Sequence, residues 1–233
     1  LPPDHLLDPA QAARQPVVPS TLAIPIVLRH GLYLLLRPVT PDDSRIIRDG
    51  FNQLSNKTRH LRFFRAISQL SDDDLSRLTH VDQLHHVAWG AVEVQPDGLT
   101  GAALARFVRD PDDPCLAEFA IVVLDALQSR GVGTVMLALL LVLARSLGLR
   151  ALQGVVLDDN EVMLGWMRSL GAEVVKEDPL VSVFELPVDS PVPAFPRSRT
   201  AIHLEEVRTD LQALFDLSWS PAAPAPPRSE TTP

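Results

Sequence analysis

The sequence predicts an α/β domain of the α+β kind, a mixed and mostly antiparallel sheet with flanking helices and a central parallel strand pair. Three observations predict it. Two apolar runs, residues 85–94 and 100–110, are joined by Gln95-Pro96-Asp97-Gly98-Leu99, a hairpin signature. A nearly all-apolar run over 115–124 leads into a glycine loop, a long apolar helix and another strand, the order of a parallel crossover. Proline-rich stretches close off both ends of the chain.

The elements follow in order. Residues 1–25 carry several prolines and few periodic apolar positions, so they read as a flexible arm. The folded core is expected over 26–187. Residues 32–39 form a strand that enters a helix over 40–54, with Thr40 as cap and Pro41 at the first helical position. A short helix follows over 56–64. Another spans 71–81, capped by Ser71 and carrying Asp72, Asp73 and Asp74 in its first turn. After the hairpin, the 115–124 strand is expected to be central and buried on both faces. Residues 151–157 form a strand, 160–171 a helix and 181–186 a closing strand. The extension 188–233 is proline-rich, with one helix near 203–218 whose Leu204, Val207, Leu211, Leu214 and Phe215 share a face. That face packs on its own domain or on a second copy of the chain.

Composition excludes several functions. The formal net charge of −8 argues against broad nucleic-acid binding and suits a cationic partner. The longest apolar run, residues 135–144, falls short of the roughly 20 residues a membrane span needs, and Arg145 ends it. The first residues lack the apolar core of a signal peptide. Cys115 is the single cysteine, which fits a reducing cytoplasm and reads as a small packed residue.

The glycine loop carries the first chemistry. Gln128, Ser129, Arg130, Gly131, Val132, Gly133 and Thr134 lie between a strand and a long helix. The first turn of a helix has free N–H groups and partial positive charge, and glycines let an anion approach the backbone. A pyrophosphate suits such a place. No lysine follows Gly133, so this is not a nucleotide-triphosphate loop of the Gly-Lys-Ser/Thr kind. Met136 stands where a dinucleotide fingerprint needs its third glycine.

What remains is Gln-x-x-Gly-x-Gly. With this motif, and with Asn160 opening a helix that ends in Leu170-Gly171, the sequence resembles the GNAT acetyltransferase superfamily across residues 27–186. Residues 62–64, 71–82, 85–93 and 117–123 are most similar to bacterial protein lysine acetyltransferases of the Pat type. The resemblance implies acetyl-CoA as donor. It implies that the backbone of Ile121, Val122 and Val123 pairs with the pantetheine arm, and that N–H groups from Gln128 to Thr134 hold the pyrophosphate. Arg130 either adds charge there or is a solvated surface residue. Asn160 either meets the cofactor or caps its helix, and both can hold together.

A lysine amine has a pKa of about 10.4, so near neutral pH a base must remove its proton. Glu118 is the candidate, a carboxylate in an apolar strand where burial raises proton affinity. The resemblance implies the family's catalytic glutamate at this position; on the residues alone, an edge-exposed or salt-bridged glutamate is the alternative. The N–H of Val122 is the expected donor to the oxygen that gains charge. Many GNAT enzymes use a tyrosine acid in the later helix; here Met167 takes that position, beside a core Trp166, and Tyr33 lies early in the chain. Arg62 and Phe63, in a basic and aromatic stretch, and Asp82 and His86, among four His and Asp side chains, read as substrate-side residues. No metal is expected, because the spacing matches no closed zinc pattern. The acceptor is a protein lysine or a small amine, with a non-catalytic acyl-CoA sensor as the competing reading.

Overall fold

The computed structural model describes residues 21–28, 31–96, 98–189 and 198–218. The strands are β1 (Ile24–Val27), β2 (Tyr33–Pro38), β3 (His86–Gln95), β4 (Gly98–Arg109), β5 (Leu116–Val123), β6 (Ala151–Leu157), β7 (Glu173–Glu177) and β8 (Val181–Pro187). The helices are α1 (Ser44–Gln53), α2 (Asn56–Phe63), α3 (Asp72–Thr79), α4 (Val132–Ser146), α5 (Glu161–Ser169) and α6 (Arg199–Ser218). One sheet takes all eight strands in the order β1-β2-β3-β4-β5-β6-β8-β7. Its only parallel pair among the described residues is β5–β6.

Side-chain alternation divides the sheet into two faces. Val87, Trp89, Ala105, Phe107, Ala117 and Phe119 are buried together with α4, whose residues 135–144 are all in the core. The apolar remainder of the glycine-loop segment is therefore a helix clad on every side, as a run without polar interruption requires. The opposite face carries Leu104 and Val122, which pack against Phe51, Leu54, Leu70, Leu75 and Leu78 of the α1–α3 layer. Ser71 caps α3 as its sequence predicts: its Oγ accepts from Asp74 N–H at 3.1 Å, and Asp74 Oδ2 accepts from Ser71 N–H at 3.1 Å.

Five expectations change. Strand β1 starts inside the stretch read as a flexible arm, and Ile24 is fully buried; the rest of that arm, residues 1–20, lies outside the described residues. The segment after Thr40 opens as a 3-10 turn, Pro41–Asp43, before α1, because buried Asp43 turns back to pair with Arg37 and to accept Thr40 N–H at 2.8 Å. Strand β5 is central but not buried on both faces: Glu118 is exposed, since the α1–α3 layer stops short of it. Cys115 is exposed rather than packed, because it lies in the turn before β5. Helix α6 packs Ala201, Leu204, Leu211 and Phe215 into its own domain's core while Leu214 is on the exposed side; tryptophan 219 and the tail after it lie outside the described residues.

One junction positions the site. Strands β5 and β6 pair only from Leu116↔Ala151 to Glu118↔Gln153 and then separate. The ring of Phe119 fills the base of this fork against Gly154. A Cβ on Gly154 would lie 2.8 Å from Phe119 Cε1 and 2.9 Å from Cζ, closer than packed atoms approach. Glycine here provides room, not a special dihedral. Gly154→Ala is expected to destabilise the protein by about 1–3 kcal/mol, the usual effect of overpacking, in a urea titration. Gly154→Ala combined with Phe119→Leu, which shortens the obstructing ring, is expected to recover part of that loss.

Candidate active site

The loop after β5 is built for exposed backbone donors. Ser129 and Gly131 both adopt left-handed conformations, with φ of 58° and 89°. Gly131 is the residue before α4 and no side chain caps the helix. The first helical bond runs from Val135 N–H to Gly131 C=O at 3.1 Å, so the N–H groups of Val132, Gly133 and Thr134 have no intrahelical acceptor. With the helix dipole behind them, they form an anion site.

This loop is the floor of a cleft of 540 Å³ between α2 and the start of α5. Ile121, Val123, Gln128, Ser129, Gly131, Gly133, Thr134 and Asn160 line it. Three residues expected beside them do not. Val132 turns its side chain into the core, at 1% exposure. Arg130 is half-buried outside the lining, and Val122 lines a different cavity across the sheet. Asn160 caps α5: its Oδ1 accepts Met163 N–H at 3.2 Å, which leaves its Nδ2 for a ligand. Trp166, read as core, packs against the core and also lines the cleft. Met167 is fully buried and Tyr33 lies on β2 beside the outermost strand, β1, so neither lines the cleft.

The β5 ladder decides which backbone groups reach the cleft. Leu124 N–H donates to Ala102 C=O at 3.0 Å, and Asp110 N–H to Leu116 C=O at 3.0 Å. Even-numbered residues of β5 therefore turn their N–H groups toward β4, and odd-numbered ones turn theirs toward the fork. The N–H of Val122 is committed to the β4 ladder. Those of Ile121 and Val123 meet no strand, because β6 has already diverged. Gln128 closes the other end: its Nε2 donates to Val123 C=O at 3.2 Å.

Residues the sequence reading did not single out hold the cleft wall. Asp125 binds the N-terminus of α2, with Oδ2 accepting Ser55 N–H at 3.0 Å and Oδ1 accepting Ser55 Oγ at 2.7 Å and Thr58 Oγ1 at 2.8 Å. Burial opposes the charge on Asp125, yet these donors outweigh it and hold its pKa below the usual value. Lys57 brings a cation to the lining, while Asp159 and Glu161 bring negative charge to the far side. Neither Lys57 nor Asp125 has a motif to betray it; only an α2 folded over the loop brings them to the site.

On the α1–α3 face, Glu118 stands near two cations. Arg106 of β4 lies one rung along from Val108, the partner of Glu118, and Arg62 reaches the same region from α2. Burial, reinforced by Arg106 and opposed by Glu118, lowers the Arg62 pKa to about 10. Burial also lowers that of Arg106, against Glu118. His86, held below its usual pKa by burial and then Arg106, is the partner of Val108 on β3. Asp82 is a local clasp: its Oδ1 accepts the N–H groups of Leu84, His85 and His86 at 2.8–2.9 Å. Burial works against its charge, but those bonds and His85 bring its pKa to about 2. Phe63 packs edge-on to Phe51 at 5.6 Å and lines an apolar cavity of 80 Å³ with Leu104 and Val122. Arg62 lines both this cavity and the cleft.

The sequence profile of the Acetyltransferase (GNAT) family matches residues 56–172, half of the chain. The chain belongs to the GNAT acetyltransferase family. Acetyltransferase Pat of Mycolicibacterium smegmatis is 34% identical over 183 residues, covering 76% of this chain and 54% of that protein. The chain thus spans about half the length of this relative. Acetyltransferase PA5475 of Pseudomonas aeruginosa is 28% identical over 144 residues, covering 62% of this chain and 77% of that protein. Among solved structures, the GNAT domain of S. lividans PAT superposes with a TM-score of 0.65 at 28% identity, covering 73% of this chain and 99% of that one. A cAMP-binding acyltransferase from Mycobacterium smegmatis gives a TM-score of 0.51 at 29% identity, covering 88% of this chain and 59% of that one. The eight-stranded mixed sheet with its parallel β5–β6 pair is the GNAT fold. GNAT acetyltransferases draw their acetyl group from acetyl-CoA, and the free N–H groups of the loop and of the β5 edge suit its pyrophosphate and pantetheine.

Among the described residues, no group of three or more His, Cys, Asp or Glu side chains is arranged to hold a metal, and no helix is long and apolar enough to cross a membrane.

Because the folded state binds fewer protons at Asp125 than the unfolded chain does, this clasp stabilises above the ordinary carboxylate pKa of about 3.9 and is lost as pH falls below it. Asp125→Ala is expected to be less stable than the parent at pH 6 in chemical denaturation. The gap between the two is expected to narrow steadily from about pH 4 to pH 2.

Proposed function

We propose that the chain is an acetyl-CoA-dependent N-acetyltransferase that delivers the acetyl group to a lysine ε-amine of a protein, with Glu118 as general base. The observation that carries this reading is the fork. It leaves the N–H groups of Ile121 and Val123 without a strand partner among the described residues, in one cleft with the helix start at 132–134, and exposed Glu118 stands at the last paired rung, where the fork opens.

When bound, acetyl-CoA supplies an acetyl group already activated as a thioester. The chain's own residues do the rest. Val132, Gly133 and Thr134 hold the pyrophosphate through backbone N–H groups, with Lys57 adding charge from α2. Ile121 and Val123 extend the β5 ladder along the pantetheine, and Asn160 offers its Nδ2 from the opposite wall. Glu118, at the point where the fork opens, takes the proton from the acceptor ammonium on a carboxylate oxygen. Exposure suits this role: a solvated carboxylate can pass the proton on to water. Nothing on α5 supplies an acid at Met167, which lies in the core.

The kinship to Pat supports a protein lysine as acceptor, and acetyl-CoA chemistry with a single exposed cysteine supports a cytoplasmic setting. The test is thiol release from acetyl-CoA with protein, peptide and small-amine acceptors, alongside calorimetric binding of the cofactor. Glu118→Gln is expected to lower kcat by about 10²–10⁴-fold, the range for loss of a general base, while leaving cofactor affinity unchanged. Full activity in Glu118→Gln removes the base assignment. Cofactor binding without turnover on any acceptor favours a sensor module, and turnover on small amines alone moves the acceptor to that class.

A further inference from the structure

The face that carries Glu118 has a feature that general base catalysis does not use. Three successive rungs cross β3, β4 and β5 there: Gly90–Leu104–Val122, Ala88–Arg106–Ala120 and His86–Val108–Glu118. Arg106 stands in the middle rung between two alanines. Its neighbours on that rung are too short to cover its guanidinium, and Glu118 and His86 are both diagonal to it, about 7–8 Å away across the ladder. Arg62 comes down from α2 and lines a cavity with Gly90, Leu104 and Val122 of the first rung, near enough for Arg106 to disfavour its charge.

Neither guanidinium is satisfied among the described residues. Arg62 lies over the Phe63 ring, 5.2 Å from its centroid, and makes no hydrogen bond or close ion pair with a described residue. Arg106 likewise makes none; Glu118 acts on both only through space. By contrast Arg37, on the same face, pairs with Asp43, and Arg109 donates to Leu84 C=O at 3.1 Å, Pro114 C=O at 2.6 Å and Leu147 C=O at 2.7 Å. An independent sign of a missing partner lies alongside. Nε2 of His86 is buried and has no hydrogen-bond partner among the described residues. Two half-buried cations and one orphaned imidazole nitrogen beside the short side chains of Ala88 and Ala120 have the donor set to bind an anion.

We propose that Arg106 and Arg62 form an anion anchor beside Glu118, which recognises a carboxylate carried by the acceptor next to its amine. The proposal rests on the acetyltransferase reading for the amine but not for the anion. The chemistry is complementary. With Glu118 the local charge is one net positive, which repels a bare ammonium; a carboxylate on the same acceptor neutralises it. The two arginines then fix the acceptor through forked hydrogen bonds, and Glu118 faces the amine. The carboxylate has two sources, an acidic side chain flanking a lysine in a protein or the α-carboxylate of a free amino acid.

Binding and turnover are measured together on the full chain. The first pair of probes is two peptides of equal length with one central lysine, flanked by Asp and Glu or by the corresponding Asn and Gln. The second pair is L-lysine and L-lysinamide. Calorimetry in the presence of coenzyme A gives each Kd, and thiol release gives KM and kcat separately. The carboxylate-bearing member of at least one pair is expected to bind at least about tenfold more tightly, the scale of one charge-assisted hydrogen bond. A peptide preference identifies a protein acceptor, and a lysine-over-lysinamide preference a small one. Arg106→Gln is expected to abolish the preference through Kd and KM, with the affinity for coenzyme A unchanged, and Arg106→Lys to restore part of it. Equal binding within both pairs, or a preference that survives Arg106→Gln, overturns the anchor. A preference in Kd without any thiol release leaves the anchor standing and refutes the acetyltransferase reading. Circular dichroism and coenzyme A affinity of each variant establish that it is folded.

Discussion

Strands β5 and β6 hydrogen-bond for three residues and then part, and the site depends on that separation. A continuous parallel pair would consume the N–H groups of Ile121 and Val123 and leave no groove. Phe119 packs its ring at the base of the fork, and Gly154 on the facing strand lacks the Cβ that would meet it at 2.8 Å. Backbone polar groups that a sheet would normally satisfy are left facing a cleft instead, an arrangement that is tolerated because solvent or a ligand can pair with them. The buried helix α4 then aims its free N-terminus into the same cleft. The strand edge and the glycine loop thus line one cleft, and Glu118 stands at the last paired rung, where the fork opens.

The second constraint is electrostatic. The cleft side offers neutral backbone donors, with Lys57 and Arg62 as cations, Asp159 and Glu161 on the far wall, and Asp125 committed to holding α2. The opposite face concentrates ionisable side chains around Glu118. Pairs such as Arg37–Asp43 serve the fold there, whereas Arg62 and Arg106 make no hydrogen bond or close ion pair among the described residues. The division matches a two-substrate site, with donor and acceptor approaching from different sides of the fork. It also explains how a chain with a net charge of −8 keeps a locally cationic patch beside its proposed base.

Local chemistry was legible in the sequence, and relations between elements were not. The Ser71 cap, the β3–β4 hairpin and the Gly131 loop could be read because each depends on a few consecutive residues. The fold class followed from the order of such pieces. The exposure of Glu118 could not be read from its apolar sequence neighbours, because Phe119 and Ala117 point to the other face. The direction of the Val122 N–H required the β4 register, which one residue's shift would invert. Strand β1 escapes sequence reading because its four residues include Pro25, which argues against a strand, and are too few to show periodicity. Arg106 was the most recoverable omission. Its place two residues from Val108, between apolar positions that alternate, put a cation on the same face as Glu118 once the two strands were paired.

Amide hydrogen exchange on the chain with and without acetyl-CoA shows whether the cofactor pairs with the free edge of β5. Alternation in the β5 ladder predicts that Val122 is protected in both states, whereas Ile121, Val123 and the amides of 132–134 become markedly slower only when the cofactor is present. Unchanged exchange at Ile121 and Val123 under saturating acetyl-CoA would contradict the fork as the cofactor's binding edge.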